Sequence, residues 1–170
     1  MTFVVDGTNG LTFNDATTQS STATNASNIS SGTLGNARLP TGSVLQVVQG
    51  ITPSNYSTSS SSSTATGYGL SITPTSASSK ILILTAGTMD TNANNQAVIS
   101  VRRGTTDLGS GNNSNTFSAG GRVISSLTIM FLDSPATTSS TTYNFYFNAG
   151  SGTTITWYGG ATVTLMEIAA

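Results

Sequence analysis

The chain has 170 residues, a formal net charge of −1, no His and no Cys, and only six carboxylates against five basic residues. Without His or Cys it holds no Ser-His-Asp triad, no cysteine nucleophile and no ordinary zinc or copper site. Near-zero charge removes the electrostatic case for nucleic acid or an anionic membrane, and no apolar run approaches the ~20 residues of a membrane-spanning helix.

A Ser-Lys pair would have to use Lys80, the sole lysine, and a carboxylate pair would have to draw on Asp6, Asp15, Asp90, Asp107, Asp133 and Glu167, which are scattered singly. General acid–base catalysis needs titratable groups gathered in a pocket. The chain is therefore read as non-enzymatic, with no cofactor and no metal. A rival enzyme reading, on polysaccharide, would rest on Asp133 or Glu167. Met1-Thr2-Phe3 lacks the basic start and apolar core of a signal peptide, so synthesis in a cytoplasm is expected. With no cysteine, disulfides contribute nothing.

Taken in order, the chain opens on two small apolar runs, Phe3-Val4-Val5 and Leu11-Thr12-Phe13, around Asp6-Gly7-Thr8-Asn9-Gly10. Asp-Gly and Asn-Gly favour tight turns, which predicts a short hairpin over residues 2–13. Residues 14–31 are almost wholly polar, without helical or strand period, and such a stretch cannot bury enough surface to fold alone. It is expected to be a linker, or an arm ordered by what it lies against. Gly32 and Gly35 interrupt regular structure, Arg38 is an isolated charge beside Leu39, and Pro40 closes the segment. The chain divides there into residues 1–40, an arm and neck, and 41–170, a folded head.

From Ser43 onward the pattern is β throughout. Strands are predicted at 44–49, 68–72, 80–88, 96–103, 116–118, 122–133, 142–149, 153–158 and 161–168, separated by Gly, Asn, Ser and Pro clusters at the spacing of a sandwich or barrel. The Ser/Thr run 57–64 reads as a loop, and Ala119-Gly120-Gly121 as a turn. Arg102-Arg103 reads as a solvated strand end. Asn-X-Ser matches at Asn25, Asn28, Asn55 and Asn112 are chance in so polar a chain.

Alternation indicates which faces are buried. Tyr143, Phe145 and Phe147 fall on one face of their strand, opposite Asn144, Tyr146 and Asn148. By contrast, Ile81-Leu82-Ile83-Leu84 and much of Leu127–Leu132 are apolar on both faces. A sandwich strand buries one face, so the second apolar face is expected to meet another subunit. The ending Ile168-Ala169-Ala170 is expected to tuck into the head or a subunit contact. Trp157-Tyr158, with Tyr68 and Tyr143, has the composition of an aromatic sugar platform, although strand aromatics more often fill a core or interface.

Three stretches carry a resemblance. Thr2–Phe13 resembles the N-terminus of tail-fibre-like and other virion surface proteins of marine tailed phages. Ser31-Gly32-Thr33-Leu34-Gly35-Asn36-Ala37-Arg38-Leu39-Pro40 resembles the segment before the terminal domains of phage fibres. Gly42–Ala169, with Ile72-Thr73-Pro74-Thr75-Ser76-Ala77-Ser78-Ser79-Lys80-Ile81-Leu82 and Leu132-Asp133-Ser134-Pro135, is similar to a recurrent terminal module of such proteins. The resemblance implies an antiparallel jelly-roll head like that of tumour-necrosis-factor-like homotrimers, carried by an N-terminal anchoring arm. It implies a place on the virion surface.

On this reading Phe3, Val4, Val5, Leu11 and Phe13 anchor the protein, and Leu34, Arg38, Leu39 and Pro40 form a trimer neck. Two placements follow: a capsid decoration (cement or head-fibre) protein on the major capsid protein, or a short tail fibre joined to tail proteins and touching a host receptor or glycan. An arm ending at Pro40 leaves no room for both adaptor and shaft, which favours decoration.

Overall fold

The computed structural model describes residues 4–6, 10–12, 18–19, 34–92, 94–109 and 114–170. By chain contacts it divides into two compact units, Met1–Arg38 and Leu39–Ala170.

In the first unit, β1 (Val4–Asp6) and β2 (Gly10–Thr12) pair antiparallel, with Val4 opposite Thr12 and Asp6 opposite Gly10. This is the hairpin expected around the Asp-Gly and Asn-Gly pairs. A third strand, β3 (Thr18–Gln19), joins the free edge of β2, within a segment in which no strand is predicted. Two residues are too few to leave a periodic signal. Asn36–Arg38 form one 3-10 turn, closed by the Arg38 N–H donating to the Gly35 carbonyl at 2.9 Å.

The second unit is an all-β sandwich of two antiparallel sheets, with no α-helix among the described residues. Its strands are β4 (Val44–Ile51), β5 (Tyr56–Thr58), β6 (Thr64–Ile72), β7 (Lys80–Thr91), β8 (Asn95–Arg103), β9 (Thr106–Asp107), β10 (Ser114–Ser118), β11 (Val123–Asp133), β12 (Thr141–Ala149), β13 (Ile155–Trp157) and β14 (Thr162–Ile168). One sheet runs β4-β14-β7-β13-β5, with β11 on the opposite edge of β7. The other runs β10-β8-β12-β6, with β9 beside β8. Every strand predicted in the head is present. The Ser/Thr run is a correction: Ser57 and Thr58 lie in β5, and Thr64 begins β6. What makes β5 a strand is the edge of β13, against which Thr58, Ser57 and Tyr56 pair with Ile155, Thr156 and Trp157.

Long β7 holds the six-stranded sheet together. All along it β11 occupies one edge; on the other, β14 lies against Lys80–Ala86 and β13 against Met89–Thr91. Between β13 and β14 the chain is fastened by Thr52, whose N–H donates to the Ala161 carbonyl and whose carbonyl accepts from the Gly160 N–H.

Odd-numbered residues of β7, β8, β11, β12 and β14 face inward, as period-2 alternation requires. The core gathers Ile81, Ile83, Ile99, Val101, Leu127, Ile129, Phe145, Val163 and Leu165 around Trp157. Trp157 has its ring centroid 5.3 Å from Phe145, 5.9 Å from Tyr56 and 6.2 Å from Tyr68. It fits because residue 87 is glycine: a Cβ there would stand 2.6 Å from the Ala161 Cβ and 3.1 Å from Trp157 Nε1.

Candidate functional site

The outward residues of the six-stranded sheet form the main candidate surface. Strand register sets Leu132, Leu82, Met166 and Val47 side by side in one row, and Met130, Leu84, Thr164 and Gln49 in the next. A third row holds Thr128, Ala86, Thr162 and Ile51, and Ile168 pairs Val44 and Lys80 at the margin. With neighbouring strands ~4.8 Å apart, these side chains touch across the sheet. Met130 is 75 % exposed, Ile51 62 % and Val47 55 %; Val44 and Leu132 are also exposed, while Leu82, Leu84, Met166 and Ile168 are half-buried. No charged residue stands in the three rows. Contiguous exposed apolar surface of this kind is a candidate contact surface. Sequence reasoning found the β7 and β11 contributions; those of β4 and β14 emerge only from register.

The aromatic platform is not assembled. Trp157 and Tyr143 are fully buried, and half-buried Tyr68 packs on the core with Phe145. The inward parity of β12 and β13 takes Tyr143 and Trp157 into the sandwich. Of the four, Tyr158 alone points outward, and its hydroxyl is engaged by Asp90 and Arg122.

The charged groups sit in separate networks. At one margin the Arg103 Nε donates to Asp133 Oδ2 at 2.8 Å, and the Tyr143 hydroxyl donates to the same oxygen at 2.8 Å. Burial, and then this bond to a carboxylate, push the Tyr143 phenol well above its ordinary pKa. A spectrophotometric alkaline titration should therefore leave the Tyr143 phenol un-ionised until the protein unfolds. Its ionisation in the folded protein would contradict this geometry. Elsewhere Arg122 donates to Asp90 at 2.6 and 2.8 Å, holding the Asp90 carboxyl below the usual range, and Arg102 lies 3.7 Å from Asp107.

Glu167 is fully buried without a cation partner. Its Oε2 accepts from the Gln46 amide at 2.6 Å; its Oε1 accepts from the Thr75 N–H at 2.7 Å and the Thr75 hydroxyl at 2.8 Å. Burial pushes its pKa up, but the hydrogen bonds from Gln46 and Thr75 outweigh this and hold it below the glutamate range. Glu167 thus fastens the 73–79 loop to β4 and β14, a fastening role for the Pro74–Ser79 stretch. Asp133 and Glu167 belong to different networks, and the described residues hold no cluster of three metal-ligating side chains. Lys80 is solvent-exposed at the start of β7.

No protein-family model and no curated protein sequence matches the chain.

Of the expected anchor residues, Val4 and Val5 lie on β1 and Leu11 on β2, whereas Phe3 and Phe13 lie outside the described residues. The expected neck spans the division between units: Leu34 and Arg38 fall in the first, Leu39 and Pro40 in the second. Leu34, Arg38 and Pro40 are exposed and Leu39 is half-buried. The end of the chain is tucked into the head, where the Ala169 N–H donates to the Ser43 carbonyl and its carbonyl accepts from the Gly42 N–H.

Proposed function

We propose that this chain is a non-enzymatic structural subunit of a tailed-phage virion, a capsid decoration protein that assembles as a homotrimer. The observation carrying the assembly is the apolar stretch of the six-stranded sheet's outer face, Val47, Ile51, Met130 and Leu132 among its exposed residues, whose three central rows carry no charge. A charged partner would lose water from its charges here without finding counter-charges, whereas a second copy supplies an uncharged stretch of its own. Burying a fully exposed side chain of Leu or Met size contributes about 1.5–3 kcal/mol, and several such residues on each copy work against an association cost of about 4–15 kcal/mol. The number three, the virion and the anchoring role of the first forty residues come from the sequence resemblance.

The head is read as a jelly roll. Counting the eight longer strands β4, β6, β7, β8, β10, β11, β12 and β14 in chain order, one sheet holds the first, eighth, third and sixth, and the other the second, seventh, fourth and fifth. That arrangement, two interleaved Greek keys, supports the reading. Non-catalysis is supported by the dispersal of the carboxylates into separate ion pairs and hydrogen-bond networks.

Light scattering on the purified protein should give the mass of three chains. Replacing Met130 and Val47 together by Asp should give the mass of one chain with the strand signature in circular dichroism retained. A monomeric wild type, or a double variant still fully trimeric, would overturn the assembly. Deleting residues 1–40 should leave a trimer that no longer binds capsids; retained binding would remove the arm from the anchoring role. The second placement, a short tail fibre, is favoured by a polar cleft at one end of the sandwich, where a receptor has room to bind.

A further inference from the structure

We infer that this cleft, between the β8–β9 turn and the β11–β12 loop, binds a neutral hexopyranose unit of a glycan. The cleft has a volume of about 360 Å³ and is lined by Arg103, Gly104, Thr137, Ser140, Thr142 and Asn144. That volume falls at the lower end of small-ligand sites, which span ~300–1,000 Å³.

Its lining sets hydroxyl, amide and guanidinium groups among a somewhat larger share of methyl and methylene surface, and several of these polar groups are fixed in place. Arg103 is held by Asp133, to which its Nε donates at 2.8 Å and its Nη2 lies at 3.4 Å, so the guanidinium is clamped while its Nη1 remains available. Thr137 Oγ1 accepts the Ser139 N–H at 3.0 Å, leaving the Thr137 O–H free to donate. Thr142 shares a bond of 2.7 Å with Ser71 and retains further hydroxyl capacity. The Asn144 amide and the Ser140 hydroxyl complete the set. On the loop side the wall turns through Ala136, a non-glycine residue at φ 53°. L-residues adopt that left-handed conformation at a cost of about 1–2 kcal/mol, and backbone strain of this kind concentrates at ligand clamps.

Charge decides the class of ligand. The Arg103 cation is compensated by Asp133 at 2.8 Å, and no other charged side chain lines the cleft. Phosphate or a carboxylate would meet no surplus positive charge there. What the lining offers is both donors and acceptors, at hydroxyl, amide and guanidinium groups, the complement that the hydroxyls of an uncharged sugar need. Ring stacking, the other common mode of sugar recognition, is excluded from this cleft by its composition, so affinity rests on hydrogen bonds and stays weak for a single ring. Three copies in a trimer would raise it through avidity.

The test uses the full chain and NMR titration with methyl glucoside, methyl galactoside, methyl mannoside and, as an anionic probe, methyl glucuronide. At least one neutral hexoside should shift the amide signals of Thr137, Ser140 and Asn144. Asn144→Ala, and Ser140→Tyr placed to fill the cleft, should each weaken binding at least tenfold, whereas Asn115→Ala should leave it unchanged. Thermal melts establish that each variant is folded. Failure of all three neutral hexosides to bind, binding indifferent to both cleft variants, or preference for the glucuronide would overturn the assignment. Because the cleft is complete within one head, hexoside binding should persist in the Met130→Asp, Val47→Asp variant, so its outcome is independent of the proposed trimer.

Discussion

Trp157→Ala is expected to destabilise the head by about 3–5 kcal/mol, the range for truncating a fully buried aromatic residue. The ring is 0 % exposed and packs against three other aromatics from β5, β6 and β12, so its removal leaves a cavity touching both sheets. Neighbours cannot collapse into it easily, since Gly87 and Ala161, which face the ring, have almost no side chain to offer. The unfolding midpoint should fall by on the order of 10 °C. Trp157→Phe should cost much less. The Trp157 Nε1–H is buried without an acceptor among the described residues, and removing an unsatisfied donor recovers about 1–3 kcal/mol against the lost ring volume. Denaturant melts of the two variants would check this; equal losses for Ala and Phe would mean that the cavity is not the cause.

The second large effect concerns Glu167. Replacing it by Ala removes the carboxylate that accepts from the Thr75 N–H, the Thr75 hydroxyl and the Gln46 amide, and a loss of about 1–3 kcal/mol at neutral pH is expected. The pH dependence follows from the sign of the pKa change. Folding lowers the Glu167 pKa, so the contribution is full above the unfolded value of about 4.3 and is lost as pH falls through the lower folded value. Asp90, held low by Arg122, adds to the same acid limb. Glu167→Gln should therefore lose stability at pH 7, because an amide NH2 would face the Gln46 donor. The variant should also show a shallower decline below about pH 4 than wild type. Parallel decline of the two proteins in acid would sink this account.

Much of the architecture was legible because several strands announce their faces. In 142–149 Tyr143, Phe145 and Phe147 alternate with Thr142, Asn144, Tyr146 and Asn148, and the first set is the one that fills the core. In 81–84 and much of 127–132 both faces are apolar, and the outward set is indeed exposed or half-buried. What stayed hidden depends on partners remote in sequence. Tyr56-Ser57-Thr58 carries no strand pattern of its own and becomes one against β13. Trp157 sits between Thr156 and Tyr158, so local alternation does not say which aromatic turns inward; the pairing with Met89 does. Glu167 looked like an isolated carboxylate, since its donors lie 92 and 121 residues away. The polar cleft combines a β8 arginine with loop residues more than thirty positions later, and nothing local marks either as part of a site.

One arrangement bears on how the protein is made. The last strand, β14, lies inside its sheet, between β4 and β7, and Ile168 pairs with Val44. A ribosome must therefore release nearly the whole head before its larger sheet can close. Until then β4 and the β14 side of β7 both present open edges, the kind that pair with other chains. Distant pairing also makes closure slow. Nascent heads crowded on one messenger should therefore be most vulnerable to aggregation during synthesis, and a truncation that removes only residues 162–170 should abolish folding instead of trimming an end.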